Sequence, residues 1–305
     1  MFPQVVKRPT TLSGFSNKGK MTLAAEITVA GILMGFIFAL AALGLTLIFG
    51  VMNIVNFAHG EFLMIGMYSA FLTSTFLSIE PLLSLPFVAL VGFLLGIMSY
   101  YLLIRYLLRG PMIAQLFGTF GLMLFLRYFV MFVLGPNPRA IHKGILIGKI
   151  LSFGPLTLDV SKLAAAGFSL MLFVLISWMI EKTKLGRALK ATSIDAEAAG
   201  YMGIDTEKMN ALAWGIGGAT AGIAGGLLAN FYYITPTVGM LFVMIAFTTV
   251  ALGGFGSVKG AFIAGLIVGL IMMTAGHYLS QIKLTFVYLA YFLVVVLKPR
   301  GFFGW

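Results

Sequence analysis

Long apolar runs follow one another along almost the whole chain, and this feature constrains the fold more than any other. Each run is about 17 to 25 residues long, enough for a helix to cross a hydrocarbon core of about 30 Å. Hydrophobic residues make up 60% of the chain and charged residues 10%, and this charged share is far below the roughly 25% usual in soluble domains. The pattern predicts a membrane protein without a separate soluble domain.

The runs predict an all-α polytopic membrane protein and exclude a membrane β-barrel. Barrel strands alternate apolar and polar positions over about ten residues, whereas residues 163–180 are apolar on every side. We expect about 8 to 10 transmembrane helices, one or two of them broken or partial. The candidate spans are residues 23–41, 42–57, 61–79, 86–107, 112–134, 162–181, 209–233, 238–254, 258–277 and 283–298.

The distribution of basic residues predicts the orientation of the chain, because they favour the cytoplasmic side. We place residues 1–22 inside as a cytoplasmic amino-terminal tail, together with Arg105, Arg109, Lys298 and Arg300, and treat residues 23–305 as one transmembrane domain. Both termini are then cytoplasmic, which requires an even number of crossings. Ten crossings satisfy this if the second span is short. The extracytoplasmic loop, 135–162, is expected to hold a small hairpin although it is itself basic, and loop 182–208 lies inside.

Several chemistries are not expected of this chain. The net charge of +11 comes from basic residues in the connections between apolar runs, which does not indicate nucleic-acid binding. Cysteine is absent, so disulfides and thiolate metal sites are excluded. The histidines at 59, 142 and 277 lack metal-site spacing. There is no P-loop motif that could hold ATP. We therefore expect no metal and no cofactor in this chain.

Glycine recurs at every fourth position in several spans, and this spacing lets helix backbones approach closely in lipid. We interpret these positions as tight packing within one subunit. They are Gly31 and Gly35, Gly92 and Gly96, Gly218, Gly222 and Gly226, and Gly265 and Gly269.

The longest polar stretch, residues 181–208, separates two apolar runs. Asp195 can cap a short helix over residues 196–202, because its side chain can accept hydrogen bonds from free backbone amides. Gly203 can end that helix in a left-handed conformation. The sequence therefore predicts a short helix exposed at the membrane face.

Three segments resemble known transport proteins. The sequence EAAGYMG at 197–203 is similar to the EAA core by which ABC import permeases present a coupling helix to their ATPase, although the later isoleucine and leucine-proline of that motif are missing. GLTLIFGVMNIVNFAHGE at 44–61 and ALGGFGSVKGA at 251–261 resemble the early and late segments of Liv-type branched-chain amino acid permeases. The resemblance covers nearly the whole chain after residue 22 and is nearer the H-type subunit than the longer M-type.

The resemblance implies an importer in a bacterial or archaeal cytoplasmic membrane. It would consist of two homologous permeases, two cytoplasmic ATPases that bind ATP and Mg, and an extracytoplasmic amino-acid-binding protein. This chain would be one permease. The residues that contact the ATPase would be Asp195, Ala196, Glu197, Ala198, Ala199, Gly200, Tyr201, Met202 and Gly203.

Broken helices at membrane depth suit a zwitterionic amino acid, because helix amino ends attract a carboxylate and free carbonyls attract an ammonium. The predicted pathway residues are Asn53, Asn56, His59, Glu61, Gly253, Gly254 and Gly256. For His59 and Glu61, capping of the following helix is the alternative. Arg127 lies inside a span, so it requires a partner or a water-filled cavity unless it extends to the interface.

Two other readings of the function stay open beside an importer of branched-chain or related hydrophobic amino acids. The substrate could be urea or a short amide within the same family. An ion-driven secondary transporter would need more intramembrane carboxylates than this chain offers. An intramembrane enzyme would need ionisable residues gathered at one depth on neighbouring helices, and the sequence indicates no such group. We therefore interpret the chain as a non-enzymatic permease.

Overall fold

The computed structural model describes residues 17–142, 144–153 and 156–304, and these form eleven α-helices and one small hairpin. The third helix continues past Ser99 through a π-helical turn, Tyr100–Ile104, and a last turn, Arg105–Leu107. The helices are α1 (Asn17–Met52), α2 (His59–Phe76), α3 (Leu85–Ser99), α4 (Met112–Leu134), α5 (Val160–Lys182), α6 (Lys184–Ile194), α7 (Ala196–Tyr201), α8 (Thr206–Leu228), α9 (Val238–Gly253), α10 (Val258–Tyr278) and α11 (Lys283–Leu297).

The predicted hairpin is present in the loop between α4 and α5. Strands β1 (Ile150–Phe153) and β2 (Leu156–Asp159) pair antiparallel, with Ile150 opposite Asp159. Asp159 then caps α5 by accepting a hydrogen bond from the amide of Ser161 at 2.9 Å. We call this end of the bundle the hairpin face, and the opposite end, which carries α6 and α7, the α6–α7 face.

Within the described residues, seven helices are long and apolar enough to cross a membrane, namely α1, α3, α4, α5, α8, α10, and α11 with the 3-10 turn Ser280–Ile282 before it. The shorter helices α2 and α9 each complete one more crossing together with a non-helical segment, residues 53–58 and 229–237. Residues 17–304, as far as they are described, therefore make nine crossings, two of them through partial helices. The predicted all-α polytopic fold is confirmed.

Two details of the predicted topology are wrong. Spans 23–41 and 42–57 are not separate, because α1 continues as one helix to Met52. The start of α1 also lies at the hairpin face, where Glu26 Oε1 accepts a hydrogen bond from the Thr157 amide at 2.9 Å. The last residues lie at the α6–α7 face, where the amide of Phe303 donates to the Gly253 carbonyl at 3.0 Å. The described ends are on opposite faces, so the crossing number is odd, while the tail before Asn17 lies outside the described residues.

Glycine contacts hold α1, α3, α8 and α10 together at the centre of the bundle. A Cβ added to Gly35 of α1 would lie 2.7 Å from the Cα of Leu266 in α10. One added to Gly96 of α3 would lie 2.6 Å from the carbonyl oxygen of Trp214 in α8. Helix backbones in lipid approach this closely only where side chains are absent. The prediction that the spaced glycines serve packing is confirmed at these helices.

The outer helices α4, α5 and α11 present large apolar side chains on the surface of the bundle. In α11 the buried residue is Val287, while Phe292, for example, is 61% exposed. Surfaces of this kind on a soluble monomer would mark an interaction site. On helices of this length and composition they fit contact with lipid tails.

Replacing Gly96 by alanine is expected to destabilise the bundle by about 1 to 3 kcal/mol, because the new Cβ meets rigid backbone of α8 and no flexible side chain can move aside. Gly121 of α4 is the matched control, since a Cβ there meets nothing within 4 Å. Gly121→Ala is expected to be neutral or to stabilise by about 1 kcal/mol or less through helix propensity. Thermal unfolding of the purified variants in detergent measures the difference. Equal effects of the two substitutions would contradict the packing role.

Candidate functional site

Between α1 and α2 the chain turns back into the bundle as a non-helical segment, residues 53–58. Asn53 adopts a left-handed conformation (φ 52°) directly after α1. The carbonyl of Val55 accepts a hydrogen bond from Thr119 Oγ1 of α4 at 3.0 Å. The next helix begins at His59, beside Ala41 in the second half of α1. The predicted break is confirmed here. Asn53 is exposed, whereas Ile54, Asn56 and Ala58 are buried within the protein, as irregular backbone at membrane depth requires.

Three polar side chains at this break are buried. Asn56, His59 and Glu61 are 0%, 1% and 0% exposed. His59 Nε2 lies 2.8 Å from the carbonyl oxygen of Ala41. A carbonyl only accepts, so Nε2 carries the proton and Nδ1 is left as an acceptor. Within the described part of the chain, four atoms have no hydrogen-bond partner: that Nδ1, both polar atoms of the Asn56 amide, and Glu61 Oε2. Buried polar atoms are normally paired, so this cluster has unused hydrogen-bonding capacity.

Glu61 forms an intramembrane ion pair with Arg127 of α4. Glu61 Oε1 accepts from Arg127 Nη2 at 2.6 Å and from Nε at 3.1 Å. The two side chains are 1% and 14% exposed. Arg127 therefore has the partner that its position required, and it does not extend to the interface. Neither His59 nor Glu61 caps α2, whose N-cap residue Ala58 makes no side-chain cap bond. Sequence reasoning missed this gathering of ionisable groups.

The amino-terminal end of α9 packs directly against the start of α2. Gly60 and Gly239 touch through their backbones, and a Cβ on Gly239 would lie 2.9 Å from Glu61 Oε1. The Glu61 carboxylate thus lies at the positive end of the α9 dipole, which stabilises an anion. The two partial helices therefore meet at the ion pair.

The second predicted break, residues 253–256, is wrong as a break at membrane depth, because these residues form the turn between α9 and α10 at the α6–α7 face. Gly254 and Gly256 have φ values of 99° and 78°, which favour glycine. The rings of Phe49 and Phe255 are 4.4 Å apart, so this turn contacts the end of α1.

The structure divides the predicted pathway residues into two groups. Asn53 and Gly256 line a cavity of about 910 Å³ at the α6–α7 face. Asn56, His59 and Glu61 are enclosed deeper in the bundle. Gly253 packs instead against Gly260, and Gly254 lies against the carboxyl-terminal segment. The structure therefore does not join all seven residues into one surface.

The predicted short helix is present as α7. Asp195 Oδ1 accepts from the amides of Glu197 at 3.0 Å and Ala198 at 2.9 Å, and Gly203 is left-handed with φ 83°. Both predicted end signals are confirmed. Tyr201 and Met202 are 81% and 83% exposed, so large apolar groups face outward from a polar loop.

The next helix, α8, begins with a further cap. Asp205 accepts a hydrogen bond from the Lys208 amide at 3.0 Å and pairs with its ammonium at 2.8 Å. These hydrogen bonds, mainly that of the side chain, hold the pKa of Asp205 below its usual value.

Helix α6 is the element that sequence reasoning missed at this face. Thr183 caps it by accepting from the Gly186 amide at 3.2 Å. Its apolar side packs through Leu189 against Leu47 of α1 and Ala213 of α8. The threonine cap and the amphipathic pattern of residues 184–194 were the available signals.

A family model described as the permease component of the branched-chain amino acid transport system matches residues 27–297, which include both breaks and α7. The chain belongs to this permease family. The resemblance expected from the sequence is therefore confirmed. No solved structure matches the chain.

Curated relatives of this family are similar over nearly their whole length. The LivH permease protein of the high-affinity branched-chain amino acid transport system of Escherichia coli is 32% identical, over 90% of this chain and 93% of that protein. BraD of Pseudomonas aeruginosa is 32% identical over 90% and 94%. A probable LivH of Methanocaldococcus jannaschii is 31% identical over 86% and 82%. The predicted similarity to the H-type subunit is confirmed.

Replacing Arg127 by methionine is expected to destabilise the protein by about 3 to 5 kcal/mol, because Glu61 would stay buried without its counter-charge. The double variant Glu61→Gln with Arg127→Met should lose less than the two single variants added together. Thermal unfolding in detergent measures all three.

Arg105→Met is the matched control for this cycle. Arg105 pairs with Glu207 at 3.4 Å, and their side chains are 35% and 52% exposed, so the loss should be about 1 kcal/mol or less. Additive effects at Glu61 and Arg127 would show that the pair is not coupled.

Proposed function

We propose that this chain is the membrane-spanning permease subunit of an ABC importer that moves branched-chain or related hydrophobic amino acids into the cytoplasm. The observation that carries the proposal is the family match over residues 27–297. In the proposed assembly, two ATPase subunits bind ATP and Mg, an extracytoplasmic protein delivers the substrate, and a second homologous permease completes the pore.

The placement of charge supports the orientation that an importer needs, with the α6–α7 face in the cytoplasm of a bacterial or archaeal cell. Among the described residues, ten basic residues belong to segments at the α6–α7 face and six to segments at the hairpin face. The ten are Arg105, Arg109, Lys182, Lys184, Arg187, Lys190, Lys208, Lys259, Lys298 and Arg300, and the six are Lys18, Lys20, Arg139, Lys149, Lys162 and Lys283. Excess basic charge favours the cytoplasmic side.

The geometry of α7 supports its proposed role as the contact for the ATPase. Six residues form a helix that is capped by the Asp195 side chain at its start and by backbone hydrogen bonds at its end, so it presents a defined surface. Tyr201 and Met202 extend from that surface, and Tyr201 is fixed by its hydroxyl, which donates to Glu197 at 2.9 Å. Exposed aromatic and methionine side chains are enriched where proteins bind partners.

Uptake is expected only when the chain, candidate ATPases and a loaded binding protein are reconstituted together. Replacing Tyr201 and Met202 by serine should abolish association with the ATPase. The exposed apolar contacts are lost, while the hydrogen bonds that cap both ends of α7 remain. Uptake of labelled leucine into proteoliposomes and copurification of the ATPase measure the two effects.

Ile145→Ser is the matched control for α7. Ile145 is 67% exposed and lies in the loop of the hairpin face, so ATPase association should be unchanged. Uptake by the chain alone under a proton or sodium gradient would support a secondary transporter and reject the importer. Uptake of urea or an amide in place of leucine would change the proposed substrate class and leave the importer proposal in place. Normal ATPase association of the α7 double variant would reject the coupling role.

We further propose that the break beside α2 is part of the translocation pathway, together with the turn at Gly253, Gly254 and Gly256. The cluster holds what a zwitterion requires. Glu61 Oε2 can accept from an ammonium, and the unpaired Asn56 amide can donate to a carboxylate. Asn53 and Gly256 line the cavity below it, and His59 connects the cluster to α1.

Asn56→Leu is expected to lower the rate of uptake at least about tenfold in the reconstituted importer, because a site that hydrogen-bonds a substrate group loses much of its affinity without the partner. The fold should persist, since Asn56 makes no side-chain hydrogen bond to lose. Ser169→Ala on α5 serves as the control, because it also removes a buried polar group that has no hydrogen-bond partner among the described residues. Wild-type uptake by the Asn56 variant would remove this residue from the pathway.

A further inference from the structure

The cavity at the α6–α7 face is lined by more basic than acidic side chains. Its lining includes Lys182, Arg187, Lys190 and Lys259, against one acidic residue, Glu181. Among the described residues, none of these four cations lies within 4.0 Å of a carboxylate. On the same face, Arg105 pairs with Glu207 and Lys208 pairs with Asp205. The cavity therefore concentrates charge that the protein itself does not neutralise.

A second and independent feature is a buried hydroxyl on the cavity wall. Thr46 of α1 is 1% exposed and lines the cavity, and its Oγ1 has no hydrogen-bond partner. Buried hydroxyls are normally paired, so this one has a donor available for an oxygen-rich group. The first turn of α10 also opens here, and helix amino ends attract anions. These features together favour a phosphate group.

The apolar part of the lining indicates where that phosphate comes from. Phe49, Phe255 and Phe303 stand on the wall of the same cavity. The wall is made by the ends of α1 and α5, by α6 and by the start of α10, so it lies where helices leave the hydrocarbon and lipid headgroups are found. Inorganic phosphate has no apolar group that could pack against the aromatic rings, whereas a phospholipid carries an apolar part beside its phosphate.

We propose that this cavity is a specific binding site for the headgroup of an anionic phospholipid. Basic pockets between transmembrane helices at the cytoplasmic side suit such headgroups. Arg187 and Lys190 lie one turn apart on α6 and supply charge to the phosphate, while Thr46 donates a hydrogen bond. Asn53 and Gly256 of the proposed pathway stand on the same wall, so the headgroup would border that pathway whichever substrate the permease carries.

A single fluorescent label in the cavity tests this site. The chain has no cysteine, so Ser193→Cys, on the lining, can be labelled uniquely. The protein is placed in phosphatidylcholine nanodiscs that contain increasing fractions of brominated phosphatidylglycerol or brominated phosphatidylcholine, and quenching is followed. Phosphatidylglycerol should quench at a much lower mole fraction. A label at Leu297→Cys, 77% exposed on the end of α11, should report no preference.

Two double variants separate a defined site from general attraction to a basic surface. Arg187→Gln with Lys190→Gln should weaken the preference for phosphatidylglycerol about 30-fold, since each basic side chain near a membrane contributes about fivefold. Lys184→Gln with Lys298→Gln removes the same charge from the same face but outside the cavity lining, and should leave the preference unchanged. Equal losses in the two variants, or no preference in the unmodified protein, would overturn the proposal.

Inorganic phosphate distinguishes the two sources of the same chemistry. Added phosphate should not relieve quenching by brominated phosphatidylglycerol, because it lacks the apolar contacts. Displacement of the lipid by phosphate would assign the cavity to a soluble anion and overturn the lipid proposal. Thr46→Val should weaken lipid binding by less than the loss of both cations, because one neutral hydrogen bond is removed. Unchanged binding in this variant would remove Thr46 from the site.

Discussion

Helices in lipid gain little from burying apolar surface against each other, so this bundle depends on close van der Waals contact between backbones. Glycines supply that contact where α1 meets α10, at Gly35 and Leu266, and where α3 meets α8, at Gly96 and Trp214. The result is a tight centre, in which 78% of the most apolar 18-residue stretch of α1 is buried. The same mechanism recurs where polar groups are present, because Gly60 and Gly239 bring the starts of α2 and α9 into contact.

That tight centre is what allows two crossings to be incomplete. Non-helical backbone cannot face lipid, because its amides and carbonyls would be unpaired there. Residues 53–58 are covered by α1 and α4, and their end carries the ion pair between Glu61 and Arg127. Taking both charges out of water is costly, and breaking such a pair is costlier still. The pair therefore holds α4 to the break, although α4 presents much of its own surface outward.

Sequence alone predicted the features that rest on local chemistry. Apolar run length predicted the helical class, Asp195 and Gly203 predicted both ends of α7, and the polar residues after Gly50 predicted the break beside α2. The sequence did not predict the second partial crossing, through residues 229–237. The sequence did not predict the ion pair between Arg127 and Glu61, because 66 residues separate them and the rotation of each helix about its axis decides the contact. The orientation of α1 was also wrong, since a rule based on basic residues assigned its lysine-bearing start to the face where Arg105 lies.

Helix α1 connects the α6–α7 face with the buried break beside α2. Near the end of α1, Leu47 packs against Leu189 of α6 and Ala213 of α8. Further back in α1, the carbonyl of Ala41 accepts a hydrogen bond from His59. Because α1 is a single helix without an interruption between these points, a displacement of α6 would move α1 and so reach the buried break. An ATPase that binds α7 differently in two nucleotide states would thus bias the break through packing alone, as coupling between sites requires.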